Sequence, residues 1–174
     1  AYLLKYDTVY GRYEKEVKTK KEKSPSTSSG QGKSYLVVDG KEILFLQEKD
    51  PVKLPWKDLN IDIAIESTGV FESFEKAAMH LRAGAKRVVL TAPAKDEDSE
   101  TAKTILVGVN EDDFGKCTIT SNGSCTTNAA HPVIQIMHES IGIKKAILNT
   151  VHGYTATQNL VDGPAKGSDW RRGR

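Results

Sequence analysis

The sequence predicts an α/β fold in which parallel strands alternate with helices. Residues 61–69, IDIAIESTG, are typical of a short buried strand that ends in a polar, glycine-terminated tip. Residues 71–85, FESFEKAAMHLRAGA, have the periodicity of an amphipathic helix, and residues 86–94, KRVVLTAPA, are again typical of a buried strand. A strand, a helix and a strand within about thirty residues indicate a parallel crossover.

A β-hairpin is predicted before this crossover. Residues 35–46, YLVVDGKEILFL, place Asp39-Gly40 between two apolar runs. A two-residue hairpin turn needs positive φ at both positions, and Asp-Gly adopts it readily. The preceding tract 21–34, KEKSPSTSSGQGKS, is rich in small polar residues that cannot bury a core, so we predict a flexible loop there.

Further elements are predicted after the crossover. Residues 104–110, TILVGVN, and 116–122, KCTITSN, are strand candidates, and residues 143–155, IKKAILNTVHGYT, alternate as a strand does. Residues 132–142, PVIQIMHESIG, have helical periodicity and end in a glycine. Ligands of parallel sheets collect at the carboxyl ends of the strands, so residues 66–69 and 91–93 are a candidate binding edge. Two ordinary turns are the alternative.

Composition excludes several classes of function. Twenty-five basic and 23 acidic residues leave a formal net charge of +2, which argues against nucleic acid or an anionic membrane as the main partner. No apolar run approaches the roughly 20 residues of a membrane-spanning helix, and the first residues do not have the pattern of a signal peptide. The two cysteines match no zinc spacing, so we predict no metal site and a reducing, cytoplasmic location.

The segment 121–132, SNGSCTTNAAHP, surrounds Cys125 with hydroxyl and amide side chains, which suit a reactive thiol better than a structural one. Such a thiol needs a helix amino terminus or a nearby base. Pro132 is also a favoured first-turn residue, so the residues alone leave open whether the helix starts at Cys125 or seven positions later. His152 is the candidate base, with the alternative that the two side chains never meet. For the other histidines, His80, His131 and His138, a solvated or core-edge position suffices.

Six motifs in this order and spacing resemble the glyceraldehyde-3-phosphate dehydrogenase family. They are ESTGVF (66–71), LTAPAKD (90–96), VGVNEDDF (107–114), SNGSCTTN (121–128), TVHGYTATQ (150–158) and LVDGP (160–164), and LLKYDTVYGR (3–12) fits the same family. The resemblance implies a partial Rossmann-like, parallel-sheet cofactor domain over residues 1–124, with 21–34 as a flexible insertion. The start of an α+β catalytic domain follows over residues 125–174. Its first helix would begin at Cys125 and contain Pro132 as an internal kink.

The resemblance also implies the roles of individual residues. Cys125 would be the nucleophile and His152 the base. The remaining candidates bind phosphate or cofactor: Ser124 and Thr126 for the attacking phosphate, Thr155 and Arg171 for the phosphate of the substrate, and Lys49, Thr68, Gly69 and Thr91 for the dinucleotide. The family's GxGxxG turn and its ribose-binding acidic residue are not in the sequence, which leaves NAD and NADP both open. We therefore expect an internal fragment of a chain about twice as long.

The implied reaction is the NAD(P)-dependent oxidation of glyceraldehyde 3-phosphate, with inorganic phosphate, to 1,3-bisphosphoglycerate through a Cys125 thioester. The resemblance implies a homotetrameric parent protein. Three alternatives are a closely related erythrose-4-phosphate dehydrogenase, a cysteine hydrolase, and a non-catalytic remnant. The 174 residues by themselves are expected to be inactive and poorly stable, because missing strands leave open sheet edges.

Overall fold

A computed structural model of the chain describes residues 1–22 and 33–155. The described residues belong to two compact units. One contains residues 1–47 together with the residues from 151 onward, and the other contains residues 48–150. The predicted domain boundary after residue 124 remains a prediction.

The first unit is built from short antiparallel pairs. A single helical turn, α1 (Tyr2–Lys5), precedes the paired strands β1 (Tyr6–Asp7) and β2 (Gly11–Arg12). The strands β3 (Val17–Lys21), β4 (Ser34–Val38) and β5 (Lys41–Phe45) form a three-stranded antiparallel sheet in that order.

The predicted hairpin is confirmed. Asp39 and Gly40 connect β4 to β5 with φ values of 49° and 77°, which is the left-handed geometry that a two-residue turn requires. Residues 22–33 connect β3 to β4, and Glu22 N–H donates to the Lys33 carbonyl at the base of this connection. Most of the predicted loop 21–34 lies outside the described residues.

The second unit contains a four-stranded parallel sheet. Its strands are β6 (Ile63–Glu66), β7 (Arg87–Leu90), β8 (Ala102–Thr104) and β9 (Ile119–Ser121), and their spatial order is β6-β7-β9-β8. Every pair is parallel, with Glu66 beside Leu90 and Leu90 beside Ser121. The α/β class and the crossover between β6 and β7 are thus confirmed.

One face of this sheet is covered by the crossover helix. Phe74, Ala77, Val88, Ala102 and Ile119 form the buried core cluster. Along β6, the residues Ala64 and Glu66 are buried, whereas Ile63 and Ile65 remain exposed. The predicted buried strand is therefore buried on one face of β6, and its other face is exposed within the described residues.

The predicted helix 71–85 is two short helices, α2 (Phe74–Ala77) and α3 (Met79–Arg82), joined at Ala78. The Ser73 hydroxyl caps α2 by accepting from Lys76 N–H. The Asp96 carboxylate accepts from two further amides of the same turn, those of Phe74 and Glu75. These acceptors satisfy the donors that a helix start leaves without intrahelical partners.

Two of the later strand predictions need correction. The strand near residue 104 is β8 (Ala102–Thr104), and the residues after it turn around the Asn110 side chain, which accepts from Leu106 N–H and donates to the Thr104 carbonyl. Residues 143–155 contain no strand. Ile147 and Val151 are almost fully exposed there, and no described strand pairs with this segment. Alternation alone does not make a strand without a partner ladder.

The last helix, α4 (Cys125–Ile141), contains Pro132 in its interior. The helix start that the residues left open is therefore at Cys125. Gly142, with φ of 76°, ends the helix and donates to the His138 carbonyl. Within residues 1–22 and 33–155, no helix has the length and apolar content that a membrane crossing requires.

Gly84 should tolerate no side chain. Its φ is +105°, and an added Cβ would lie 2.5 Å from Lys57 Cβ and 2.7 Å from Lys57 Cα. We expect Gly84→Ala to lower the free energy of unfolding by about 3 kcal/mol, because backbone strain costs roughly 1–3 kcal/mol and overpacking about as much again. Urea unfolding followed by circular dichroism measures the change.

The matched control is Gly108→Ala, at a φ of +78° with no atom within 4 Å of the added Cβ. Only the backbone term applies there, so a loss of about 1 kcal/mol is expected. Equal losses for the two variants would contradict the close approach at Lys57.

Candidate active site

The carboxyl ends of the parallel strands meet at one edge of the sheet, and hydrogen bonds between the strand ends join them. Thr91, directly after β7, donates its amide (3.0 Å) and its hydroxyl (3.2 Å) to the Glu66 carbonyl at the end of β6. Asn122, after β9, donates its amide to the Leu90 carbonyl of β7. The predicted binding edge is therefore a continuous structure that extends from β6 to the segment before Cys125.

Ser121 connects this edge to the cysteine segment. Its side chain is fully buried, and its hydroxyl donates to the Ala92 carbonyl at 2.7 Å. The same oxygen accepts from Gly123 N–H at 3.0 Å. Because Gly123 has φ of +71°, the chain turns sharply between the sheet and α4. The position of Cys125 relative to the sheet follows from these bonds.

Cys125 is the first residue of α4 and is exposed. The Ser124 hydroxyl caps the helix, accepting from Thr127 N–H at 2.9 Å and lying 2.7 Å from the Thr127 hydroxyl. A helix amino terminus carries a partial positive charge, which favours the thiolate form of a cysteine placed there. The structure thus supplies one of the two activating features that a catalytic thiol needs.

Asn128 fastens the first turn of α4 to the sheet edge. Its side-chain amide donates to the Asn122 carbonyl at 2.6 Å and to the Ser124 carbonyl at 2.8 Å. These two carbonyls flank the turn at Gly123. The amide therefore holds the backbone on both sides of the turn that presents Cys125.

The predicted phosphate ligands are in different places. Ser124 and Thr126 flank Cys125 at the helix start, where backbone donors favour anions. Thr155 is exposed and belongs to the other compact unit. Arg171 lies outside the described residues. The phosphate-binding roles remain predictions.

His152 also belongs to the other unit, which contains the residues from 151 onward. Its side chain is exposed, and its Nδ1 lies 2.6 Å from the Gly153 carbonyl. A carbonyl oxygen only accepts, so Nδ1 is the donor in this contact. The pairing of His152 with Cys125 remains a prediction.

The candidate cofactor residues lie at exposed positions. Thr68 and Gly69 follow β6, Thr91 follows β7, and Lys49 lies in the loop before β6. Gly69 has φ of +69° and nothing within 4 Å of where a Cβ would be, so a ligand can approach its backbone closely. Parallel sheets bind ligands at this edge, and the cofactor-binding roles of these residues remain predictions.

Sequence reasoning missed a buried network below this edge. Glu66 and His80 are both buried, and His80 Nε2 lies 2.9 Å from Glu66 Oε2. Trp56 donates its indole N–H to His80 Nδ1 at 3.0 Å. The amide (2.8 Å) and the hydroxyl of Thr68 both donate to Glu66 Oε1. A glutamate at the end of an otherwise apolar strand was the only signal in the sequence.

The pKa of Glu66 reflects two opposing influences. Burial is the larger single influence and raises the pKa of this carboxyl, but the hydrogen bonds from Thr68 and His80 together outweigh it and lower the pKa below its ordinary value of 4.5. The carboxylate is therefore the form that the folded protein stabilises.

The other two histidines, His131 and His138, belong to the same helix as Cys125. His131 lies in α4, with Nδ1 3.1 Å from the Thr127 carbonyl and Nε2 3.0 Å from the Val107 carbonyl. His138 is exposed near the end of the same helix. In the described part of the chain, no cluster of three or more histidine, cysteine or acidic side chains could hold a metal ion.

Two family models match the chain. One is described as the NAD-binding domain of glyceraldehyde 3-phosphate dehydrogenase and matches residues 1–74. The other is described as the C-terminal domain of the same enzyme and matches residues 124–174, a range that begins one residue before Cys125. The first match supports NAD as the cofactor.

Curated relatives match over the whole chain. It is 49% identical to glyceraldehyde-3-phosphate dehydrogenase 1 of Kluyveromyces lactis over 174 residues, which are 47% of that protein. It is 46% identical to glyceraldehyde-3-phosphate dehydrogenase 2 of Bacillus subtilis, covering 46% of it, and 45% identical to glyceraldehyde-3-phosphate dehydrogenase 2 of Saccharomyces cerevisiae, covering 47%. The chain thus spans just under half the length of these relatives.

The two cysteines should differ sharply in reactivity. Cys125 is exposed at a helix amino terminus, whereas Cys117 is only 1% exposed. We expect iodoacetamide to modify Cys125 in the folded chain and to spare Cys117, as read by mass spectrometry of peptides. Ser124→Ala should slow the reaction, because loss of the cap costs about 1 kcal/mol and frays the first turn.

Ser140→Ala, the same substitution at an exposed position near the other end of α4, is the control and should leave the alkylation rate unchanged. Equal effects of the two substitutions, or equal modification of both cysteines, would argue against activation by the helix start.

Glu66 should contribute to acid sensitivity. Because its pKa is lowered on folding, the carboxylate stabilises the folded chain above pH 4.5, and this contribution disappears as the pH falls through the lowered pKa. The difference in unfolding free energy between the native chain and Glu66→Gln should be constant above about pH 5 and shrink below pH 4.5. Urea unfolding at a series of pH values measures it, and a difference independent of pH would show that folding does not change the pKa of Glu66.

Proposed function

Because the chain belongs to the glyceraldehyde-3-phosphate dehydrogenase family, we propose that it provides the nucleophile and part of the cofactor site of a phosphorylating aldehyde dehydrogenase. The observation that carries the proposal is the position of Cys125. It starts α4 at the same sheet edge where Thr68 follows β6 and Thr91 follows β7. A thiol and a dinucleotide site on one edge are the arrangement that oxidation of a thiol-bound aldehyde requires.

Cys125 acts as the thiolate in this proposal, and His152 accepts its proton. The sulfur adds to the aldehyde carbon of glyceraldehyde 3-phosphate, and the C=O bond becomes C–O⁻. The Cys125 backbone N–H at the helix start and the protonated His152 stabilise that oxygen. NAD, when bound, supplies the acceptor for the two electrons and the hydrogen that leave the carbon. Cys125 then carries the acyl group as a thioester.

Inorganic phosphate completes the reaction. Its oxygen attacks the thioester carbon, the C–S bond breaks, and the Cys125 thiolate is regenerated as 1,3-bisphosphoglycerate leaves. Ser124 and Thr126 bind the attacking phosphate, and Thr155 and Arg171 bind the phosphate of the substrate. Neutral hydroxyl and backbone donors suit the first of these sites, because they hold an anion without a counter-charge that would retain the product.

The setting of the reaction is proposed from the family as well. The partners are glyceraldehyde 3-phosphate and inorganic phosphate, the assembly is a homotetramer, and the location is cytoplasmic. We propose that the 174 residues by themselves do not turn over, because the glycine-rich turn for the pyrophosphate is not among them.

A chimera tests the catalytic assignment. The chain aligns over its full 174 residues with the Kluyveromyces lactis relative, so it can replace the matching segment of that enzyme. We expect the chimera to reduce NAD in the presence of glyceraldehyde 3-phosphate and phosphate. Cys125→Ser should abolish the activity, and His152→Ala should lower kcat by about 10²–10⁴-fold, as loss of a general base does.

Controls separate the alternatives. A higher kcat/KM for erythrose 4-phosphate would favour the related dehydrogenase, and product formation without NAD would favour a hydrolase. The 174-residue chain alone should show the same null rate as its Cys125→Ser variant. A chimera that folds and binds NAD but does not turn over would refute the proposed function.

A further inference from the structure

The strongest unassigned feature is the buried network of Trp56, His80 and Glu66. An indole N–H can only donate, so His80 Nδ1, which receives it at 3.0 Å, must be unprotonated. The proton of the neutral imidazole is then on Nε2, which donates to Glu66 Oε2 at 2.9 Å. Trp56 thus selects one tautomer of His80, and that tautomer donates a hydrogen bond to Glu66.

Glu66 receives donors at both oxygens. His80 Nε2–H donates to Oε2, and the amide and hydroxyl of Thr68 donate to Oε1. The side chain of Glu66 is 1% exposed, and His80 is the basic side chain that contacts it. Because His80 is neutral in this arrangement, hydrogen bonds rather than a full opposite charge stabilise the buried carboxylate. Loss of any one of these hydrogen bonds should therefore destabilise the buried carboxylate.

The network continues to the surface. The Thr68 hydroxyl donates to Glu66 and accepts from Val70 N–H at 3.2 Å. The conformation of residues 67–70, which includes the open backbone at Gly69, is therefore connected by hydrogen bonds to Trp56. These residues follow β6 at the candidate cofactor edge.

We propose that Trp56, His80 and Glu66 are positioning residues that fix residues 67–70 and thereby set the affinity for NAD. This rests on the proposed function in so far as that loop contacts the cofactor. None of the three needs to touch the cofactor. They act through the carboxylate, which holds the amide and the hydroxyl of Thr68 in one orientation.

The tautomer makes a specific substitution pattern informative. In Glu66→Gln, an amide NH₂ that faces His80 must meet the Nε2–H, so two donors oppose each other. His80 cannot move its proton to Nδ1 while the Trp56 indole donates there. Adding Trp56→Phe removes that donor, so Nδ1 can carry the proton and Nε2 can accept from the glutamine. Trp56→Phe alone should therefore lower the affinity for NAD or leave it unchanged. Added to Glu66→Gln, the same substitution should raise the affinity.

Two measurements test the proposal on the chimera described above, which contains this chain either in its native sequence or as a variant. Amide hydrogen exchange at Thr68 and Val70 measures how often the hydrogen bonds of residues 67–70 open. Calorimetric titration with NAD measures the affinity. Glu66→Gln should accelerate exchange and raise the Kd for NAD, each roughly tenfold, the usual size for loss of a buried charged hydrogen bond. The double variant should recover to within about threefold of the native chain. The ¹⁵N chemical shifts of His80 should show the Nε2–H tautomer in the native chain and Nδ1–H in the double variant.

Ile119→Val is the control for general loss of stability. It alters the core cluster in β9 and leaves the network intact. It should change neither the exchange at Thr68 and Val70 nor the Kd. The proposal is overturned if the double variant has the same exchange rates and the same Kd for NAD as Glu66→Gln. It is also overturned if exchange rises while the Kd stays unchanged, or if the native sequence binds no NAD. A chimera that binds NAD normally but does not turn over refutes only the proposed function.

Discussion

The parallel register of β6, β7 and β9 determines where the candidate functional groups of the 48–150 unit lie. Glu66, Leu90 and Ser121 are neighbours across the sheet, so the segments that follow them emerge at the same edge. Side-chain and backbone bonds then join these segments, from the Glu66 carbonyl through Thr91 to the hydroxyl of Ser121. A slip of register in any of these strands would separate the candidate cofactor residues from Cys125.

The same edge stabilises negative charge largely with neutral groups. The Glu66 carboxylate is held by hydrogen bonds from Thr68 and His80, and the Cys125 sulfur lies at a capped helix start. The donors to Glu66 in the described part of the chain include no lysine or arginine: they come from Thr68 and His80. Preorganised dipoles stabilise charge without adding a cation that would bind phosphates or the dinucleotide indiscriminately. In the reaction that we propose, anions enter and leave the site repeatedly. Such turnover is favoured when no cation at the site binds them indiscriminately.

Local patterns in the sequence predicted the local structures well. The Asp39-Gly40 turn and the helix stop at Gly142 follow from backbone chemistry, and the crossover follows from periodicity. The start of α4 at Cys125 came from the family resemblance, because Pro132 is compatible with either start. The strand predicted over 143–155 failed, since a strand needs a partner that no local pattern supplies. The network was invisible for a similar reason: Trp56 and Glu66 lie 24 and 14 residues from His80, and only the folded chain brings them together.

The attachment of α4 has a mechanical consequence. Asn128 and His131, in its first two turns, bond to the carbonyls of Asn122 and Val107 outside the helix, whereas none of its residues is buried. The helix is therefore held by these bonds at the end that carries Cys125. Bending of the helix should therefore displace Ile141 more than Cys125. If another surface covers the exposed apolar side chains near Ile141, we expect the Cys125 sulfur to stay in the same position relative to the ends of the strands.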